Sequence, residues 1–183
     1  MAIDAWDALR ADLARGREQA FAELYDRCAG PMFRVARRML GADADAEDAV
    51  HQAFLDLLRA RRALANAEDP RAYAIVAARN AAAKAATRRG RTESVALEDS
   101  PEPAGEPEAA DPGERDERLE RELRALPAEQ REALALRIEG ELTFEAIGAA
   151  LGVSPNTAAS RVRYALERLR SKLAASTDGG RDR

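Results

Sequence analysis

The stretch LTFEAIGAALGVSPNTAASRVRYALERLR, Leu142 to Arg170, constrains this 183-residue chain more than any other segment. Its punctuation spells two helices joined by a tight turn. Thr143 is placed to cap the first helix, and Glu145 stands in its first turn, where the helix dipole favours an acid. Phe144, Ile147 and Leu151 recur at three and four residues and mark a buried face. Gly148 lets two helices approach closely, and Gly152 suits the left-handed conformation that ends a helix. Val153 follows as the turn hydrophobe. Ser154 then caps a second helix and Pro155 takes its first position, where a missing N–H costs nothing.

The second helix sorts by face at about 100° per residue. Ala158, Val162, Ala165, Leu166, Leu169 and Leu173 form the core side. Asn156, Thr157, Ser160, Arg161 and Arg163 lie opposite, near the N-terminal end that meets base edges in a recognition helix. From Asn156 to Leu173 there are five bases and one acid, Glu167, an excess that suits a phosphate-lined partner. A solvated amphipathic helix is the bland alternative. The conjunction of caps, glycine spacing and basic outer face favours a helix-turn-helix that binds duplex DNA.

Composition sets the frame. A chain of this length holds one or two small domains. Alanine, leucine, arginine and glutamate dominate, all helix formers, and no alternating strand pattern appears, so the expected class is all-α. The net charge of −4 argues against a non-specific nucleic-acid coat, but the charges are segregated. Residues 93–115 carry eight acids and one base, whereas residues 71–91 carry six bases and no acid. Cys28 is the lone cysteine, which excludes an internal disulfide and fits a reducing cytoplasm. No leader-like segment opens the chain, and the longest apolar run, residues 72–78, is too short to span a bilayer, so no membrane insertion is expected.

The pattern divides the chain into a first helical domain (1–91), an acidic proline-rich flexible linker (92–113), a second helical domain (114–175) and a disordered tail (176–183). In the first domain, a short helix up to Gly16 precedes one from Glu18 to Leu40, with a break or bend expected at Gly30-Pro31. A third helix runs from Asp43 to about Arg61 over a core stripe of Ala46, Val50, Phe54, Leu57 and Leu58. A loop from Arg62 to Glu68 leads to Asp69-Pro70, which start a fourth helix.

Two helix faces lack an internal use. On the third helix, Asp45, Asp48, Gln52 and Leu55 fall together away from the core stripe, a leucine knob among polar groups. It reads equally as a docking face or as ordinary surface. His51 sits at the edge of the core stripe and reads as a half-buried neutral histidine. On the fourth helix, Tyr73, Asn80, Lys84, Thr87, Arg88 and Arg91 share a stripe opposite Ile75, Ala78, Ala82, Ala85 and Ala86. An aromatic, an amide and several bases in line can stack a base, bond its edge and hold phosphates, as single-strand binding requires. An exposed basic helix end is the alternative. Arg79 projects nearer the core side, toward an acid.

Together these segments resemble the bacterial sigma-70 family of RNA polymerase sigma factors, in its extracytoplasmic-function group. DAEDAVHQAF (45–54), FAELYDRCAGPMFRVARRMLG (21–41) and PRAYAIVAARN (70–80) resemble sigma region 2. Residues 126–173, opening with LPAEQREALALR, resemble region 4. The resemblance implies a factor that binds core RNA polymerase and directs promoter recognition and opening. It implies that Asp45, Asp48, Gln52 and Leu55 meet the beta-prime coiled coil, and that region 4 meets the beta flap. It assigns the minus-ten strand to Asn66 in the loop and to Tyr73, Asn80, Lys84 and Arg88. It assigns the minus-thirty-five duplex to Asn156, Thr157, Ser160, Arg161 and Arg163, and makes an anti-sigma partner between the domains an expectation.

The sequence departs from the family pattern at several places. Tyr73 stands where tryptophan is frequent, His51-Gln52 replaces a frequent glutamine–glutamate pair, and Ala158-Ala159 replaces a valine and a lysine. No nucleophile–base pair, phosphate-cradling glycine loop or metal cluster is visible, so neither catalysis nor a cofactor is expected. A stand-alone helix-turn-helix regulator and a degenerate sigma-like interaction protein are the rival readings.

Overall fold

The computed structural model describes residues 5–93 and 112–174. Nine helices cover most of these: α1 (Ala5–Arg15), α2 (Glu18–Leu40), α3 (Asp43–Arg59), α4 (Arg61–Asn66), α5 (Pro70–Glu93), α6 (Pro112–Arg124), α7 (Ala128–Ile138), α8 (Phe144–Leu151) and α9 (Pro155–Ala174). There is no strand among the described residues. The expected linker lies largely, and the expected tail wholly, outside them, although α5 and α6 extend into the two ends of the linker segment.

The first bundle forms around α2, α3 and α5, with α1 and α4 closing one end. Leu13, Leu24, Cys28, Met32, Leu57, Leu64 and Ile75 are fully buried there. Burial pushes the Cys28 thiol up to about 11, with Arg71 pulling weakly the other way. α2 runs unbroken through Pro31, against the expected break. Glycine precedes that proline, so the clash between the proline ring and a preceding Cβ is missing. Gly41 ends α2 at φ 79°, donating its N–H to the Arg37 carbonyl. The expected loop after α3 is instead mostly helix. Leu64 is fully buried in α4, and Arg10 on α1 donates to the Glu68 carbonyl at 2.6 Å, so α1 pins this segment. Asp69 caps α5 by accepting from the Ala72 amide at 3.0 Å, with Pro70 behind it as expected.

The second bundle packs α7, α8 and α9 together, with α6 along α9. Leu126, Leu136, Leu142, Ile147, Val162 and Leu169 are buried in it. Arg118 on α6 donates to the Lys172 carbonyl at 2.7 Å and so satisfies the end of α9.

The two bundles touch through α2 and α5 on one side and α6 and α7, with the turn after α7, on the other. Arg38 bonds Glu120 at 2.8 Å and Glu139 at 3.0 Å, and Arg34 reaches Glu139 at 3.3 Å. Burial works against the Arg38 charge, but Glu139 and Glu120 together outweigh it and hold the guanidinium above the ordinary arginine range. Arg79 pairs with Glu132, the acid toward which its position on α5 points. Arg71 bonds the Gly140 carbonyl at 3.1 Å and Glu141 at 2.8 Å, bracing a turn in which Glu141 takes a φ of 55°.

Candidate nucleic-acid interface

The turn between α8 and α9 follows the chemistry of its residues. Thr143 caps α8, its hydroxyl accepting from the Ala146 amide at 3.2 Å. Gly152 ends α8 at φ 66°. Gly148 permits the close crossing, because a Cβ there would lie 2.8 Å from the Val153 carbonyl oxygen. The Ser154 hydroxyl accepts from the Thr157 amide at 3.1 Å and lies 2.9 Å from the Thr157 hydroxyl. These contacts fix the angle at which α9 leaves the turn.

The N-terminal part of α9 therefore projects from a rigid support. Asn156, Thr157 and Arg163 are exposed, while Ser160 and Arg161 are half-buried. Arg161 lies at the edge of the core stripe, with its Nη2 2.6 Å from Glu129 Oε2 on α7. Arg163 stands 5.1 Å over the ring of Tyr164. Leu166, expected in the core, is exposed, because it sits at the opposite edge of the stripe.

On α5, Asn80, Lys84, Thr87 and Arg88 are exposed along one stripe, with Tyr73 at its head at 36% exposure. Arg79 donates to the Asn80 side-chain oxygen at 2.9 Å. Asn66 is exposed at the last position of α4. The loop expected to carry it is a helix end, so Asn66 is held in place rather than on a free strand.

The α3 face adjoins this stripe, a relation the sequence pattern did not reveal. Asp45, Asp48, Gln52 and Leu55 line one cleft together with Arg88 and Arg89 of α5. Asp45 is half-buried and pairs with Arg89 at 2.5 Å, and Gln52 bonds Asp56 at 3.0 Å. Gln52 and Asp56 also share a cleft with Lys84, Thr87 and Arg88. The acidic candidate face and the basic one thus form two walls of neighbouring grooves.

The structure adds residues that sequence reasoning missed. Tyr25 at 54% and Leu58 at 46% exposure open, beside the already expected Leu55 at 40%, onto one apolar groove between α2 and α3. Tyr25 packs on Phe54 at 4.9 Å between ring centroids. Leu58 was expected in the core, and His51, expected at its edge, is exposed on the rim of the same groove. The signal was present: Leu55 and Leu58 are three apart on α3, one turn of a helix.

Comparisons with known proteins bear on both bundles. Residues 24–92 match the family described as Sigma-70 region 2, and residues 123–171 match Sigma-70, region 4. The chain is 33% identical over 161 residues to the RNA polymerase sigma factor CarQ of Myxococcus xanthus, spanning 86% of this chain and 91% of that one. Two solved structures share the fold. One is the sigma factor RpoE in complex with the anti-sigma factor NepR from Bartonella quintana. It has a TM-score of 0.66 at 20% identity and covers 86% of this chain and 96% of that one. The other is CnrH in complex with the cytosolic domain of CnrY, with a TM-score of 0.63 at 24% identity. It covers 97% of this chain and 99% of that one.

Proposed function

The chain belongs to the sigma-70 family of RNA polymerase sigma factors, and from that premise we propose how its surfaces divide the work of directing core polymerase to promoters. It binds core polymerase and promoter DNA and directs transcription initiation. The match over region 2 as well as region 4 goes beyond a stand-alone helix-turn-helix regulator. With its two-region layout, the protein falls in the extracytoplasmic-function group.

Residues 1–91 act as the region 2 domain and 114–175 as the region 4 domain, with 92–113 as tether and 176–183 as tail. The face of Asp45, Asp48, Gln52 and Leu55 takes the beta-prime coiled coil, its apolar part continuing into the groove of Tyr25 and Leu58. The second domain meets the beta flap. Tyr73, Asn80, Lys84 and Arg88, with Asn66 beside them, capture the unstacked minus-ten strand. Asn156, Thr157, Ser160, Arg161 and Arg163 enter the minus-thirty-five duplex.

The chemistry is binding and not catalysis: opening draws its free energy from stacking and phosphate contacts on α5. The protein works in the cytoplasm, where polymerase is. No helix among the described residues is long and apolar enough to cross a membrane. One structural neighbour carries an anti-sigma factor and the other the cytosolic domain of CnrY, which supports an anti-sigma partner for this chain.

The observation that carries this reading is the exposed stripe of one aromatic, one amide and successive bases on α5, set on the same bundle as the acidic α3 face. Size-exclusion chromatography with core polymerase tests it. The full chain is expected to co-elute with core, and Leu55→Asp with Asp48→Arg to abolish co-elution without unfolding the chain. Co-elution unchanged by both substitutions would move the docking face elsewhere.

A further inference from the structure

Two arginines on the outer part of α9 are held in opposite ways. Arg163 is 61% exposed, and Glu167, one turn along the same helix, comes only to 3.8 Å. Arg161 is 20% exposed and ion-paired at 2.6 Å to Glu129, in the first turn of α7. Glu129 itself is 71% exposed, so its carboxylate stands at the surface beside the face that α9 presents. At about 100° per residue, Arg161 lies roughly 40° from Thr157, on the rim of that face.

The two settings suit different tasks. A phosphate contact needs net charge, because its affinity comes from counterion release. An arginine already paired with a carboxylate brings little net charge to DNA. What it keeps is orientation: one edge of the planar fork is anchored, and the remaining donors point in a fixed direction. A base edge in the major groove demands that directional fork. We propose that Glu129 is a positioning residue for promoter recognition: it anchors Arg161 so that Arg161 reads a base, while Arg163 serves a phosphate.

This rests on the reading that α9 enters the minus-thirty-five major groove. The probe is a duplex library randomised around that position, bound to holoenzyme assembled from core polymerase and the full chain, then sequenced. Binding of a selected duplex is also measured across salt concentrations. Arg161→Ala is expected to flatten preference at one base position by about tenfold or more. Glu129→Gln is expected to flatten the same position, since the fork is no longer anchored. It is also expected to steepen the slope of log affinity against log salt, since the Arg161 charge is released. Glu129→Asp should restore part of the preference. Arg163→Ala should leave preferences intact and reduce the slope by about 0.9.

Unchanged base preference in Glu129→Gln would overturn the proposal, as would loss of a full unit of slope in Arg161→Ala with preferences intact. A separate outcome addresses the underlying reading. If Asn156→Ala, Thr157→Ala and Arg163→Ala all leave duplex binding unchanged, α9 does not enter the groove, and the Glu129 proposal falls with it. A retained Arg163 effect beside a silent Glu129→Gln removes only the proposal.

Discussion

Tyr73 shows what a single side chain contributes. It heads the α5 stripe with about a third of its surface in water. Stacking of a base on an aromatic is worth ~1–3 kcal/mol, or about 5- to 150-fold in affinity. Tyr73→Ala is expected to weaken holoenzyme capture of a fluorescent minus-ten single strand within that range, and Tyr73→Trp to strengthen it. Cys28 supplies a prediction of a different kind. Its thiol is fully buried and titrates near 11, above its ordinary value of 9.0. The folded state keeps the proton that the unfolded state releases between these values. The stability that depends on it is present below pH 9 and is lost as pH rises toward 11. At neutral pH, a thiol reagent should therefore label Cys28 only at the rate of unfolding, as read by mass spectrometry. Residue identities were legible where the partner is local: Thr143, Ser154 and Asp69 cap the helices their positions dictate. Arg161 was expected on the face opposite the core but sits half-buried at the edge of the core stripe, because its partner lies on another helix, and periodicity carries no information about that.

At the scale of elements, the helix-turn-helix was readable because each of its devices is short-range. The Ser154 cap and the Gly148 crossing make two stability predictions. Ser154→Ala is expected to cost about 1 kcal/mol by loss of the cap. Gly148→Ala is expected to cost more, because its Cβ meets backbone that has no room to move away. Thermal melting of the full chain, with duplex binding alongside, checks both; equal melting points for Gly148→Ala and the parent chain would contradict the close crossing. α4 was not readable for the opposite reason. Its six residues are too few to hold a helix alone, and tertiary contacts supply what propensity does not: a buried Leu64 and the Arg10 bond to the segment that follows. Leu58 and Leu166 show the same limit, for both lie on stripe edges where a few degrees separate core from surface.

At the scale of the molecule, four arginines of the first bundle meet four acids of the second. Minus-ten and minus-thirty-five elements stand about 25 base pairs apart, or roughly 85 Å at ~3.4 Å each. A compact chain of this length has a radius of gyration of about 16 Å, so the packed arrangement does not span them. On the proposed division of surfaces, the bundles part for both elements to be held at once. Small-angle scattering is expected to give a larger radius of gyration for Glu132→Gln with Glu139→Gln than for the parent chain, and to give expansion of the parent in high salt. An unchanged radius in both would assign the contact to apolar packing instead. Apart from Arg79 turning toward an acid, this was not legible in the sequence, where the acids and arginines lie far apart and their opposition emerges only once α2 and α7 pack.

On the proposed function, one chain carries a surface for each promoter element and brings both to polymerase. Sequencing of transcript 5′ ends made in vitro tests it most directly, using core polymerase on genomic DNA of the organism that encodes the chain, with and without the protein. A small set of new start sites that share sequence blocks about 10 and 35 base pairs upstream is expected, and their loss with Tyr73→Ala and Arg161→Ala. Start sites identical with and without the protein would contradict it.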